Sequence, residues 1–514
     1  MDDTRSMERR DFLKKATAAA GTVALSGSMV GELEGQAWPW ETEQTVWVRK
    51  SINSFSAAEI DDLRRAVAAM KSRPSTSPLS WTYQAAIHGT YTSGSFPAWN
   101  TCQHGSYFFL SWHRMYVYYF ERILRAASPS KRLTQPYWPY EPNANRAIPV
   151  PYRSPAATTN SLYVSQRGAG INTGAELPTS AVEHCTAYSR IPFIAPPGQA
   201  PSLSFGGGAV PAPIHFGSAY GQLELVPHNR VHSNIGGWMG DPNTAAQDPV
   251  FWAHHCNVDR LWEGWLALGG GRVNPTGNTI WMNTPFTFFD VSSTGAPVQV
   301  TLRGSQILNI VAQLNYRYDA LPNYPCPNVR DVRRQRVLSA PHLPPPPRAA
   351  EPNAAQTQGV TLGSAPVSVE LAVSGGLREA LGTGGGGRRI ELRLEGIRVD
   401  QNPGVAYHMY LALAPTAAPR TLDADNPHPH YVGTLDFFEI ISRLKHDRDA
   451  AANGHTVAAD VTDLVREIGG RLTGERLTVT FIPEGPGDRP QAAAQTRIAR
   501  VLLRAVAAPA TPNS

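Results

Sequence analysis

The stretch Asp248-Pro-Val-Phe-Trp-Ala-His-His-Cys-Asn-Val-Asp-Arg260 decides the reading of this chain, because it sets His254 and His255 in an aromatic, helical segment. A neutral structural histidine there would need hydrogen-bond partners of its own. Upstream, His228 and His232 stand four residues apart, which puts both rings on one helix face. With His255 they complete a three-nitrogen set. A second, more dispersed triplet precedes it: His88 near a helix end, His104 in a Gly-bounded loop, and His113 inside Trp112-His-Arg-Met-Tyr116. One His pair alone is often only the polar face of a helix. Two triplets, with no carboxylate or thiolate reaching in at the same spacing, suit copper, whereas mixed His and carboxylate sets suit iron or hydrolytic zinc. Asp259, a turn after His255, is the one exception. It is read as a group that orients a ligand imidazole from behind rather than as a ligand.

At 514 residues the chain exceeds the size at which one core stops growing, so two domains are expected. A hydrophobic share of 42% and a charged share of 17% are ordinary for a globular enzyme and exclude a disordered chain. The net charge of +5 is small for this length, and no Lys and Arg cluster interleaves with aromatics, so no nucleic-acid partner is expected. The four cysteines are too few for a disulfide scaffold. Cys185 and Cys326 are candidates to pair, and Cys256 reads as buried and inert.

The start, Glu8-Arg-Arg-Asp-Phe-Leu-Lys14, precedes a weakly apolar stretch from Ala16 to Val30 that is too short and too rich in Gly and Ser to span a bilayer. It resembles a twin-arginine export signal over residues 1–36, which implies folded export to the periplasm or beyond and no stable membrane insertion. Composition changes again at Pro341-His-Leu-Pro-Pro-Pro-Pro347, and residues 339–365 read as a linker. Before it the periodicity is helical. Ser56-Ala-Ala-Glu59 is a capping box opening Ile60 to Lys71, and the runs Trp81 to His88 and Tyr107 to Leu124 read as buried helices. After it the period becomes two, as in Ile390, Leu392 and Leu394 or Leu477, Val479 and Phe481, so residues 366–508 read as a smaller β-sandwich-like domain.

On Phe251-x-x-His-His255-x-x-x-Asp-Arg260 with Trp262, His228-x-x-x-His232, and Ser111-Trp-His-Arg114 followed by Phe120-Glu121, the chain resembles the type-3 copper proteins: tyrosinases, catechol oxidases and hemocyanins. The resemblance runs from about Trp38 to Tyr318. It implies a mainly α catalytic domain over 37–338, a four-helix bundle around two copper ions. His88, His104 and His113 would hold the first copper, and His228, His232 and His255 the second, with His254 behind them. Cys102, two residues before His104, resembles the cysteine that forms a thioether with that histidine in fungal and molluscan members; many bacterial members lack it. Tyr316-Arg-Tyr318 resembles the motif that closes the catalytic domain in plant and fungal members. Phe251 resembles the aromatic gate over the second copper. Glu224 and Asn229 resemble the pair that holds a proton-accepting water in members active on monophenols.

The resemblance implies a monophenol and o-diphenol oxidase that uses dioxygen and takes phenolic small molecules. The β domain would act as a lid, with Tyr407, Tyr431 and Phe437 as candidates to enter the pocket. Alternatives are a catechol or o-aminophenol oxidase and a hemocyanin-like dioxygen carrier; a homo-oligomer is a further expectation. The single copy of the unit and the Glu224 with Asn229 pairing favour the oxidase. A zinc hydrolase is disfavoured because no general-base glutamate stands within a His pair.

Overall fold

Helix starts are written into the catalytic half by side chains that accept the first free backbone N–H groups. In the computed structural model, which describes residues 46–506 except 93–95, 142–144, 324–325, 327–353, 383–387, 424–427, 469–475 and 488–491, Ser56 and Glu59 form the expected capping box at the start of α1 (Ala57–Lys71). Ser80 caps α2 (Trp81–His88), whose limits are those of the sequence run. The next run becomes α3 (Phe109–Ala127). A π-helical turn, Glu224–Asn229, leads into the short α4 (Arg230–Ile235), and Asp248 caps α5 (Pro249–Ala267), with its side chain accepting from the Val250 N–H. The export signal read at 1–36 lies outside the described residues. Among those described, no helix is long and apolar enough to cross a membrane.

Aromatic side chains set the spacing between these helices. Phe120 of α3 stacks on Trp252 of α5, and the edge of Trp81 of α2 meets both, at 5.6 and 6.0 Å between ring centroids. At the other end of the helix pair a buried carboxylate does the joining. Arg114 of α3 donates to Asp259 of α5 at 2.5 Å, and Arg49, fully buried on β1 (Trp47–Arg49), reaches the same carboxylate at 3.4 Å. A hairpin, β2 (Pro285–Val291) and β3 (Pro297–Arg303), packs on α3, and β4 (Tyr316–Tyr318) pairs in parallel with β1. Because strand side chains alternate, Tyr316 and Tyr318 point the same way, and both hydroxyls donate to Asp259 at 2.6 Å. Burial works against the charge on Asp259, but Arg114, Arg49 and the two hydroxyls outweigh it and hold its pKa below the usual carboxylate value.

This corrects the sequence reading of Asp259. Its carboxylate is taken up by two guanidiniums and two phenols, so it clamps α3, α5, β1 and β4 rather than orienting an imidazole. The reason is electrostatic: a fully buried carboxylate needs cationic partners, and an imidazole held neutral supplies none.

Among the described residues the carboxy-terminal half has eight strands, β5 (Ala354–Leu362), β6 (Val367–Val373), β7 (Arg389–Ile397), β8 (Ala406–Leu411), β9 (Tyr431–Leu435), β10 (His455–Asp460), β11 (Arg476–Glu484) and β12 (Thr496–Val506). They hydrogen-bond in one order, β10-β7-β12-β5-β6-β11-β8-β9, around one shared core. Ile390, Leu392 and Leu394 enter that core as the alternation predicts. The intervening charges are not left in water. Glu391 and Arg393 are buried too, paired in a ladder in which Arg393 meets Glu395 at 2.6 Å and Arg504 meets Glu391 at 3.1 Å.

One boundary shifts. The part of the linker read at 354–362 is β5, paired with β12 and β6 in mid-sheet. Its Ala- and Gln-rich composition lacks the apolar alternation by which strands are recognised, and backbone pairing places it instead. Cys185 and Cys326 form a disulfide with Cα atoms 5.2 Å apart, while Cys102 and Cys256 are free and buried.

Both cross-links can be tested by their effect on stability. Asp259→Asn, which removes the charge shared by Arg114, Arg49 and two tyrosine hydroxyls while Glu263 and Glu121 stay beside the guanidiniums, should cost about 3 kcal/mol in denaturant unfolding, the low end for breaking a buried ion pair; a loss within the scatter of surface substitutions would show that the clamp is not needed. Replacing Cys185 and Cys326 together by Ser should cost about 2–5 kcal/mol by removing a cross-link between distant segments, and an unchanged midpoint would contradict it.

Candidate metal centre

Six imidazoles converge on one buried pocket. In the first triplet the ring centroids of His88 and His104 are 5.1 Å apart, those of His104 and His113 5.1 Å, and those of His88 and His113 5.5 Å. In the second, His228 lies 4.7 Å from His232 and 4.9 Å from His255, with His232 and His255 at 5.5 Å. The triplets meet where His113 stacks on His255 at 4.5 Å. The structure therefore brings together all six residues named from the sequence.

For four of the six rings the local fold decides which nitrogen is presented. His88 Nδ1 donates to the Pro242 carbonyl at 2.8 Å, His113 Nδ1 to Phe109 O at 2.8 Å, and His232 Nδ1 to Met239 O at 2.7 Å. His228 Nδ1 donates to Asn229 Oδ1 at 2.8 Å. A carbonyl oxygen cannot donate, so the proton stays on Nδ1 and the lone pair on Nε2. Pro242 and Met239 belong to one loop between α4 and α5, so that loop orients a ring in each triplet. Glycine permits its path. A Cβ at Gly89 would lie 2.7 Å from Pro242 O, and one at Gly237, whose φ is +53°, would lie 1.7 Å from Gln166 O.

The Nε2 atoms of His88, His104, His113 and His228 are buried and have no partner among the described residues, and His232 Nε2 faces His255 Nε2 at 3.3 Å. Burial drives the pKa of His88 and of His228 down to about 3 and that of the other four well below the ordinary value. Such a set of neutral nitrogen donors, in which the close groups of potential ligands hold no carboxylate, fits a pair of copper ions.

His254 stands in the same crowd: one ligand atom of each of His228, His232, His254 and His255 lies within 4.8 Å of the others. His254 Nδ1 is paired with the Tyr140 hydroxyl at 2.9 Å, and its Nε2 is unpartnered among the described residues. Distance alone does not separate it from His255. His255 is the one that also comes within this range of His88 and His113, which ties it to both triplets.

Cys102 Sγ lies 3.2 Å from His104 Nδ1 and 3.3 Å from His215 Nδ1, and burial pushes the thiol pKa well up. Glu224 accepts from the Gly105 N–H at 2.8 Å with one oxygen, while Oε2 is buried without a partner among the described residues. Burial raises its pKa well above the usual range. Phe251 is fully buried, 4.1 Å from the His255 ring and 4.9 Å from His88, with Tyr116 and Trp252 on its other sides. It is a wall on the core side, where its place one turn before His255 on α5 puts it, and not the aromatic that covers the pocket.

That aromatic comes from the carboxy-terminal domain and escaped the sequence reading. Phe438, at the start of α6 (Phe438–His446), stacks on His232 at 4.0 Å and turns its edge to His228 and His104 at 5.6 and 5.9 Å. Its N–H donates to Ser233 Oγ at 3.1 Å, next to His232. The three candidates named from sequence lie elsewhere: Phe437 packs against Tyr407 within its own domain's core, and Tyr431 packs against Tyr410. Adjacent residues at a helix start face directions about 100° apart, so Phe437 pointing inward sends Phe438 outward. The Phe-Phe pair was the available signal.

Comparison with known proteins agrees with this centre. The model of the common central domain of tyrosinase matches residues 78–192 and 198–268, and that of the polyphenol oxidase middle domain matches 276–329. A domain of unknown function matches 349–505. The tyrosinase HcTyr1 of Hahella sp. (strain CCB-MM4) is 30% identical over 463 residues, covering 82% of this chain and 92% of its own. The latent-form chloroplastic polyphenol oxidase of Prunus armeniaca is 31% identical over 285 residues, 50% of this chain and 45% of its own. Among solved structures, a latent aurone synthase (polyphenol oxidase) from natural source aligns with a TM-score of 0.52 at 22% identity over 92% of each chain, a likeness of fold. With its six converging imidazoles and this similarity along most of its length, the chain belongs to the tyrosinase family of type-3 dicopper oxidases.

Proposed function

We propose that the protein oxidises monophenols and o-diphenols to o-quinones with dioxygen, and that it is latent while Phe438 lies on the histidine rings. His88, His104 and His113 would hold one copper ion and His228, His232 and His255 a second, with His254 behind them, and the pair would supply the electron exchange with dioxygen. The remaining tasks fall to the chain. The carbonyl-bound Nδ1 atoms keep the rings neutral and aimed. Phe251 and Trp252 close the core side against water. A phenol with a pKa of about 10 must give up its proton before it binds productively at neutral pH. The observation that carries the monophenol reading is Glu224, whose Oε2 has no partner among the described residues although the residue is buried. Asn229, with its oxygen occupied by His228, has an amide N–H without a partner among the described residues that can join Glu224 in holding the water that takes the proton.

Latency is supported by the contacts that hold α6 and the loop carrying Asn402 against the histidine centre. Besides the Ser233 bond, Lys445 Nζ reaches Asp241 at 3.1 Å and Tyr91 OH at 2.6 Å, His446 Nε2 pairs with Asn243 Oδ1 at 3.0 Å, and Asn402 donates to Gly240 O at 3.0 Å. Three of these partners, Gly240, Asp241 and Asn243, sit on the loop that orients His88 and His232. The 3.2 Å between Cys102 Sγ and His104 Nδ1 supports a thioether that would fix the ring's orientation in the mature protein, and export by the twin-arginine route would carry the finished centre out folded.

Phe438→Ala in the full-length, copper-loaded chain should raise o-diphenol oxygen uptake by at least about tenfold, a change of roughly 1.4 kcal/mol in the barrier; unchanged uptake would count against the lid. In that background Glu224→Gln should depress monophenol oxidation by about 10²-fold or more and spare the diphenol reaction, within the usual range for proton transfer by a positioned group. Equal loss on both substrates would remove Glu224 from the proton step, and uptake with the diphenol alone in the parent chain would make the protein a catechol oxidase. Mass spectrometry of the copper-matured protein should find the peptide that joins Cys102 and His104 lighter by two hydrogens, and a titratable thiol at Cys102 would refute the thioether.

A further inference from the structure

Two carbonyls that orient ligand rings, Met239 O for His232 and Pro242 O for His88, lie in one short segment of the loop that joins α4 to α5. The loop's ends are fixed by the catalytic half itself. Near one end the Trp238 N–H donates to Gln166 O at 2.8 Å, and at the other the Trp81 indole N–H donates to Gln247 O at 3.1 Å. Between them, Gly240, Asp241 and Asn243 are met by the carboxy-terminal domain, through Asn402, Lys445 and His446, and Tyr91 of the catalytic half shares Asp241.

Of these bonds the one from Asn402 is the best shielded from water. Asn402 is 6% exposed, whereas Lys445 stands at the surface, where an ion pair is screened and contributes little, and the His446 pair is only partly buried. Both ends of the Asn402 amide are committed: Nδ2 donates to Gly240 O at 3.0 Å, and Oδ1 accepts from the Gly404 N–H at 2.9 Å. The turn that carries it is tied to its own domain by the Ala493 N–H, which donates to Pro403 O at 2.8 Å. The loop is shaped to receive this side chain, since a Cβ at Gly240 would lie 2.8 Å from Asn402 Cβ. Gly240 is buried, so without the Asn402 donor its carbonyl would be left unpaired away from water. The segment would then turn to satisfy it and carry the neighbouring Met239 and Pro242 carbonyls away from the two rings.

We propose that Asn402 is a positioning residue of the metal centre: by holding Gly240 O it fixes the Met239–Pro242 segment that aims His232 and His88, so the carboxy-terminal domain also retains the copper. Partners that orient a ligand from behind typically change metal affinity by about 10–100-fold. One ring of each triplet depends on the segment, so both ions are affected. This rests on the dicopper centre and not on latency.

The test is copper release from the full-length, copper-loaded chain under argon, with ascorbate as reductant and bathocuproine disulfonate as the copper(I) acceptor. Asn402→Ala removes the donor, and Asn402→Asp keeps the size and the bond from Gly404 while taking the donor away. Both should release copper at least about tenfold faster than the parent, with the two ions lost together. Ile390→Val, in the core of the same domain, gauges what lost stability alone does and should keep the parent rate. The ligand-field absorption of the copper(II) form is a reading that stability does not move; it should shift in both Asn402 variants and stay in place in Ile390→Val. Parent-like release in whichever Asn402 variant folds, acceleration of the same size in Ile390→Val, or an unshifted band overturns the proposal. Oxygen uptake by the Phe438→Ala chain tests latency separately, so failure of one is not mistaken for failure of the other.

Discussion

Six imidazoles buried together must stay neutral, with each lone pair directed into the same small volume, and the rest of the catalytic half is arranged to meet that demand. Burial alone would leave the tautomer undecided. Backbone carbonyls decide it, by accepting from Nδ1 of His88, His113 and His232. The loop after α4 carries the main burden, because Met239 and Pro242 serve different triplets from one short stretch. That loop needs Gly237 where no side chain fits, and a neighbour, Gly89, that lets Pro242 approach. A shift of the loop would therefore disturb both triplets at once.

Charge is handled at a distance from this neutral pocket. Arg49, Arg114 and Asp259 are fully or almost fully buried, yet they sit at the far side of α3 and α5, where two tyrosines of one strand complete the carboxylate's bonds. Arg114 follows His113 directly, and Asp259 lies a turn beyond His255. The ion pair thereby fixes the relative rotation of the two helices whose histidines stack across the triplets. Buried ion pairs are poor sources of net stability but firm setters of register, and here register is what the centre requires.

Much of this was legible in the chain. The ligand positions are carried by the helical His spacing, the His-His run and the family motifs around them, and the helix limits by serine and aspartate caps, because caps and spacings are local consequences of backbone geometry. Strand alternation marked the second domain. What stayed hidden depends on contacts between distant segments. Phe438 and Phe437 are the same residue type side by side, and only the packing of α6 tells which one leaves its own core. Asp259 sits at ligand spacing after His255, and its real partners come from positions 49, 114, 316 and 318. Residues 354–362 carry no apolar period and are placed by pairing with a strand that lies more than a hundred residues later.

That last pairing decides when the sheet behind α6 is complete. β12, the final strand, lies between β7 and β5 in the middle of the sheet, so its backbone completes the hydrogen bonding of both. During synthesis the sheet remains split until Thr496–Val506 has left the ribosome, while every histidine of the centre has emerged some 240 residues earlier, at His255. Because the ligand histidines emerge before Phe438 and before the last strand, the order of translation would let metal reach the six rings before the proposed cover can form.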